Sequence, residues 1–225
     1  MLRILPQGPV HTSYLTHSRK VYAMPTAPIN GIDLYYDTCG SGPPLLLIAG
    51  LGSDSQSWLP VIDSLAPRFT VIAPDNRGMG RTQPTDVETS IEGIAADCIQ
   101  LVEWLGIESV DVAGHSMGGF VAQVCVVQRP GRVRRMVLAA TGLSNSARNN
   151  LLFTDWAALL ESGTAGDLWF RNLFYWIFSR QFFQNPAAVE AAVRMAVEYT
   201  ILRVRRPSRG RLPRLRISTA TPSPR

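Results

Sequence analysis

Lysine is almost missing from this chain: of its 22 basic side chains only Lys20 is not an arginine. Arginine codons are GC-rich and lysine codons are not, so the bias points to a GC-rich coding sequence. Cysteine is sparse as well. Cys39, Cys98 and Cys125 are odd in number and form no C-x-x-C pair. That speaks against a disulfide framework and suits reduced, mostly buried thiols in a cytoplasmic protein. Long apolar runs are lacking too. None approaches the roughly 18 residues that a membrane span needs, and the most apolar window, Leu168 to Phe178, is interrupted by Arg171 and Asn172. Met1 to Ala23 contains no acid and no continuous apolar core, so a signal peptide is not expected. A flexible extension is the expectation there, with Met24 as a sensible true start and an amphipathic targeting segment as the alternative.

Acids are absent from residues 201–225, which hold eight arginines. Without that segment the chain has 14 basic and 17 acidic side chains, so the net charge of +5 belongs to the tail and not to the body. Nucleic-acid binding is therefore not expected of the folded part. From Val204 the tail is rich in Arg, Pro, Ser and Thr and shows no helix or strand period. A shifted reading frame in GC-rich DNA produces such a composition. The expectation is a truncated or frameshifted gene product, with a genuine basic tail that binds nucleic acid or an anionic surface as the rival.

What is present is ordinary globular composition, 46% hydrophobic and 17% charged. Asn30-Gly31 signals a turn, and Ile32 to Tyr36 alternates like a strand. Leu45 to Ala49 and Phe69 to Ala73 are short continuous apolar runs, as in strands buried on both faces. A helix is expected from about Gln56 to Leu65. Ile94, Cys98, Leu101, Val102 and Leu105 recur at helical spacing over Ser90 to Leu105, with Ser90 as cap. Strands over Ser109 to Ala113 and Arg134 to Ala140 bracket a turn, Gly114 to Gly118, and a helix, Gly119 to Gln128. Alternating strand and helix from 45 to 140 predicts an α/β fold: a mostly parallel sheet with helices on both faces. Residues 148–200 read as helical and aromatic-rich. The expected organisation is an extension over 1–28, the sheet core over 29–142, a helical cap over 143–200 and a tail over 201–225.

Gly114-His115-Ser116-Met117-Gly118 is a G-x-S-x-G motif. Chance alone places one such match in a chain of this composition roughly 7% of the time, so context decides. Here it ends a strand and opens a helix. A serine on that tight turn projects its hydroxyl above the sheet, and glycines on either side let strand and helix pass close by. The alternative is a glycine-rich turn with an incidental serine.

Leu45 to Ser53, Asp75 to Arg81 and Gly114 to Gly119 together resemble the α/β-hydrolase family, and most of all its esterase, enol-lactonase and haloperoxidase-like branch. The resemblance covers about residues 29–200. It implies Ser116 as nucleophile, with the elbow formed by Gly114, His115 and Gly118. The backbone amides of Met117 and Leu51 would be the oxyanion donors. The family usually has His-Gly where this chain has Ala49-Gly50, which removes a side chain that helps hold the loop. Asp75-Asn76-Arg77-Gly78-Met79-Gly80 resembles a supporting loop in which Asp75 and Arg77 tie segments together. The implied substrate is a small, rather apolar ester or lactone, and the implied cofactor and metal are none. Trp169, Phe170, Phe174, Tyr175, Trp176, Phe178, Phe182 and Phe183 would either line a pocket under the cap or pack the cap itself. Oligomeric state stays open.

The triad is incomplete. In this family the order is serine, acid, histidine, and none of the 109 residues after Ser116 is a histidine. His11 and His17 lie in the N-terminal extension, and His115 is the neighbour of Ser116 on a turn that points adjacent side chains apart. The acids after Ser116 are Asp155, Glu161, Asp167, Glu190 and Glu198, all in the helical region. A serine hydroxyl is a weak nucleophile without a base. The expectation is therefore a serine hydrolase that is inactive as written. The alternatives are a non-catalytic ligand-binding remnant, or an unstable fragment that aggregates through an uncovered sheet edge.

Overall fold

A computed structural model describes residues 25–144 and 146–204, with side chains described only as far as 198. The expectations for Met1 to Ala23 and for the arginine-rich tail beyond Val204 lie outside the described residues.

The strands are β1 (Thr26–Ile29), β2 (Ile32–Gly40), β3 (Pro44–Ile48), β4 (Thr70–Pro74), β5 (Val110–His115) and β6 (Val133–Ala139). The helices are α1 (Leu59–Leu65), α2 (Ile91–Trp104), α3 (Met117–Gln128), α4 (Ala147–Glu161), α5 (Gly166–Ile177) and α6 (Pro186–Val204). A 3-10 turn, Ser55–Trp58, leads into α1. The strands form one sheet in the order β1-β2-β4-β3-β5-β6. β4, β3, β5 and β6 run parallel, and β1 and β2 add antiparallel at one edge.

The apolar runs at 45–49 and 69–73 become the two strands that lie deepest. Their alternate side chains feed two cores, one on each face of the sheet. Leu46, Ile48 and Ile72 face α2 and α3 and meet Ile94, Cys98, Leu101, Val121 and Cys125. Leu45, Leu47, Val71 and Ala73 face the other way, toward Trp58, Leu65 and Phe69. Ser90 caps α2 as expected, its hydroxyl accepting from Gly93 N at 3.0 Å, an interaction of about 1 kcal/mol.

Five boundaries differ from the sequence reading by more than one residue. The helix expected from about Gln56 begins as the 3-10 turn and becomes α1 only at Leu59. Thr26–Ile29 is a strand, although the extension was expected to reach residue 28. Asn30 and Gly31 both take positive φ, 46° and 79°, and this tight turn folds β1 back onto β2 in the register Ile29↔Ile32. β2 does not stop at Tyr36 but runs to Gly40, because it goes on to pair with β4 from Tyr36↔Pro74 to Gly40↔Thr70. β5 extends to His115, beyond the expected end at Ala113. α3 begins at Met117, two residues before the expected start at Gly119. These last two shifts have one cause: the turn between β5 and α3 is a single residue, Ser116.

Beyond β6 the described residues are helical. α4 packs on α5 and α5 on α6. Phe174, Val189 and Val193 form a small core of their own, with Phe170, Phe182 and Phe183 against it. Two indole hydrogen bonds fasten α4 to α5, Trp156 to Asn172 Oδ1 at 2.7 Å and Trp169 to the Trp156 carbonyl at 2.9 Å. The aromatic run divides its work, since Tyr175, Trp176 and Phe178 remain exposed. No helix among the described residues is long and apolar enough to cross a membrane.

Candidate active site

Ser116 sits between the last residue of β5 and the first of α3 with φ 53° and ψ −118°. A β-substituted residue rarely adopts that conformation, and it survives only where its surroundings enforce it. Here the surroundings are visible. The Ser116 amide donates to the Ala139 carbonyl of β6 at 2.9 Å, and the Ser116 carbonyl accepts from Gly119 N at 2.9 Å. The crossing of strand and helix is tight. A Cβ on Gly114 would meet the Gly118 carbonyl, and one on Gly118 would meet the Ile48 carbonyl of β3. The two outer residues of the motif are therefore glycines because backbone occupies the space of a side chain.

Met117 opens α3, so its N–H belongs to the first helical turn, where amides lack an acceptor within the helix. Leu51 lies in the loop after β3. A Cβ on the preceding Gly50 would sit 3.3 Å from both the His115 carbonyl and Ser116 Cβ, so this loop lies directly against the elbow. The ring of His115 packs beside the same loop and meets Trp58 edge-on, with centroids 6.5 Å apart. Among the described residues no hydrogen bond joins His115, or any other side chain, to the Ser116 hydroxyl.

The Leu51 loop has a support that the sequence did not announce. Asn76 is buried and its Nδ2 donates to the Ala49 carbonyl at 3.2 Å. It holds the segment that leads from β3 into that loop. Asp75 and Arg77 do tie segments together, but not to each other. Asp75 is fully buried and accepts from Ser55 N at 2.9 Å and from Arg81 N and Nε at 2.8 and 2.9 Å. Arg77 grips Asp97 of α2 with two bonds of 2.6 Å.

Arg81, missed in the sequence, is the hub. It also donates to Asp37 Oδ2 at 3.1 Å and to the Tyr35 hydroxyl at 2.9 Å. Tyr35 in turn donates to Asp37 Oδ1 at 2.8 Å, and Ser55 Oγ to Asp37 Oδ2 at 2.6 Å. Burial, reinforced by the bond to Asp37, pushes the Tyr35 phenol up to about 12. Burial also works to raise Asp37. The hydrogen bonds from Ser55 and Tyr35 and the charge of Arg81 outweigh it and hold the carboxyl below its usual range. The alternation Tyr35–Asp37 on β2 was a usable signal, since both point to one face of the strand.

The acids after Ser116 lie on the helices that follow β6: Asp155 and Glu161 on α4, Asp167 on α5, Glu190 and Glu198 on α6. Glu190 is tied to Arg171 of α5. None hydrogen-bonds His115 or Ser116. Helices α4 and α5 border an open depression of about 370 Å³ lined by Leu159, Leu168, Trp169, Arg171, Asn172 and Tyr175.

A family model for the alpha/beta hydrolase fold matches residues 43–222. A soluble epoxide hydrolase of Corynebacterium sp. is 44% identical over 96 residues, which is 43% of this chain and 34% of that protein. The solved thermophilic esterase of Thermogutta terrifontis superimposes with a TM-score of 0.63 at 26% identity, over 76% of this chain and 64% of that one. The solved Rv0554 of Mycobacterium tuberculosis gives 0.62 at 29%, over 74% and 62%. The chain spans less than half the length of the curated relatives it matches, from 31% to 43%.

Proposed function

Because this chain belongs to the alpha/beta hydrolase fold family, we propose that Ser116 is the nucleophile of a hydrolase of small apolar carboxylic esters or lactones, and that residues 1–225 do not by themselves supply its base. The observation that carries the first half is the conformation of Ser116. A serine forced to φ 53° between a strand and a helix, with glycines enforced on either side, is a presented hydroxyl and not an incidental one.

In this reading a base from outside residues 1–225 takes the proton of Ser116 Oγ as the oxygen attacks the carbonyl carbon. The carbonyl oxygen takes up the negative charge, and the amides of Met117 and Leu51 receive it. Two fixed donors stabilise that charge without reorganisation, each lowering the barrier by about 3 kcal/mol. Collapse returns the proton to the departing alcohol oxygen and leaves an acyl-serine, which a water deprotonated by the same base then cleaves. Asn76 keeps the Leu51 loop in register, and the Arg81 network anchors the 3-10 turn that follows it.

The likeness to an epoxide hydrolase raises a second substrate class, and the chemistry of serine weighs against it. Attack of Ser116 Oγ on an epoxide carbon would form an ether. An ether has no carbonyl for water or an oxyanion hole to act on, so turnover would stop. An acyl-serine does not have that defect.

Both halves are tested by supplying a base. Hydrolysis of short p-nitrophenyl esters is followed with and without added imidazole, for the chain and for Ser116→Ala. The expected result is an imidazole-dependent rate, above the solution background, that Ser116→Ala abolishes. An imidazole-dependent rate unchanged in Ser116→Ala removes Ser116 from the mechanism. A Ser116-dependent rate already complete without imidazole shows that a base is present.

A further inference from the structure

α2 and α3 pack on each other and on one face of the sheet. Ala95 of α2 is fully buried in that contact, and the Cys125 thiol of α3 donates to its backbone carbonyl at 3.7 Å. A side chain of α3 this near to the backbone of α2 means that the two helices approach closely. Cys98 lies one turn along α2 from Ala95 and is hydrogen-bonded to Cys125. The Cys125 proton is directed at Ala95, so Cys125 Sγ accepts and the Cys98 thiol donates. The two sulfurs are therefore neighbours across the helix contact. Both cysteines are 1% exposed, so their surroundings are complete within the described residues. Cys39 packs on the other face of the sheet and takes no part.

We propose that Cys98 and Cys125 are a disulfide-forming pair, which a hydroperoxide oxidises to one bond that staples α2 to α3 beside the elbow. A lone buried cysteine acts as a small hydrophobe. Two sulfurs already side by side meet the condition that disulfide geometry imposes, since it tolerates little backbone movement.

The step balances with hydrogen peroxide as oxidant. Cys98, its thiol pushed well up, is the poorer first nucleophile. Cys125 Sγ attacks one peroxide oxygen, the O–O bond breaks, and the Cys125 proton leaves with the displaced hydroxyl as water. The product at Cys125 is a sulfenic acid. Cys98 Sγ then attacks that sulfur. The S–S bond forms, the S–O bond breaks, and the Cys98 proton leaves with the hydroxyl as a second water. The two thiols lose two electrons and the peroxide gains them. Thiolate is the reactive form, so burial keeps the pair reduced at rest and makes closure slow.

The bond closes the loop from 98 to 125, which contains β5 and Ser116. Closing a loop of about that length constrains the unfolded chain and raises Tm by about 7–14 °C.

The test treats the folded full chain with hydrogen peroxide, removes the peroxide and blocks the remaining thiols in denaturant. A glutamate-specific protease then separates the two cysteines by cutting at Glu103 and Glu108. The expected product is a cross-linked pair of peptides, lighter by two hydrogens, that joins Cys98 to Cys125 in the chain and in Cys39→Ser alike. The oxidised chain melts about 7–14 °C higher and loses the gain when dithiothreitol reduces it. The proposal is overturned if both cysteines remain thiols after Cys39 is fully oxidised, or if they emerge as separate sulfinic or sulfonic acids. It is equally overturned if either pairs with Cys39, or if the Cys98–Cys125 bond forms and lowers Tm, since the native helices would then be too far apart to hold it.

Discussion

Replacing Asp75 by asparagine exposes how much of the site depends on one carboxylate. Asp75 is fully buried and takes three bonds between 2.8 and 2.9 Å from Ser55 N, Arg81 N and Arg81 Nε, with a longer one of 3.1 Å from Arg81 Nη2. All four of these partners are donors. An amide keeps one acceptor oxygen and turns an NH2 group against the others, while Arg81 loses its buried counter-charge and keeps only the partly exposed Asp37. Breaking a buried ion pair from one side costs about 3–5 kcal/mol, a large share of a stability of about 5–15 kcal/mol. In a domain of this size each kcal/mol lowers Tm by about 2–4 °C, so Asp75→Asn lowers it by about 6–20 °C. The assay is thermal and urea melting by circular dichroism, with an unchanged urea m-value as evidence of the same folded state. The double variant Asp75→Asn/Arg81→Met recovers part of the loss, since it removes the stranded charge. A loss under about 1 kcal/mol for Asp75→Asn would refute the reasoning, because the pocket would then be relaxing or admitting water in a way the packing does not allow.

Other outcomes follow from the same geometry. Gly118→Ala drives a methyl into the Ile48 carbonyl and destabilises the protein by more than the 1–3 kcal/mol or so of ordinary overpacking, read in the same melts. Asn76→Ala leaves the Ala49 carbonyl without its donor and costs about 1–3 kcal/mol; it also lowers the imidazole-dependent esterase rate in kcat more than in KM, as loss of a positioned oxyanion loop should. Tyr35 contributes stability that is fully present below the unfolded phenol value, about 10, and is lost as pH rises through the folded value of about 12. The chain therefore loses stability over that alkaline window relative to Tyr35→Phe. The hydrogen bond with Cys125, reinforced by burial, pushes the Cys98 thiol well up, so Cys98 resists a thiol reagent at neutral pH until the chain unfolds, whereas the part-exposed Cys39 reacts first.

The core was legible where side chains alone decide. Leu45 to Ala49 and Phe69 to Ala73 read as strands buried on both sides, and β3 and β4 match them to within one residue; the three-and-four spacing of Ile94, Cys98, Leu101 and Val102 reads as one face of a helix, the buried face of α2. The G-x-S-x-G motif located the elbow because its glycines answer to backbone contacts that no other residue tolerates. Features set by pairing partners far along the chain were not legible. The length of β2 depends on β4, whose partner residues lie 30 to 38 positions away, and β1 is short enough that only the Asn30-Gly31 turn betrays it. The Arg81 network escaped notice for the same reason: Tyr35, Asp37, Ser55, Asp75 and Arg81 come from three separate stretches, and nothing in the spacing of one predicts the others.

The account rests on Ser116 being a presented nucleophile that lacks a base. The direct test is reaction of the folded chain with a fluorescent organophosphonate, followed by mass mapping of the adduct, beside Ser116→Ala and with or without imidazole. The account predicts negligible labelling of the chain alone and labelling at Ser116 when imidazole is added. Rapid labelling of Ser116 without imidazole would contradict it, because an activating base would then lie within these 225 residues.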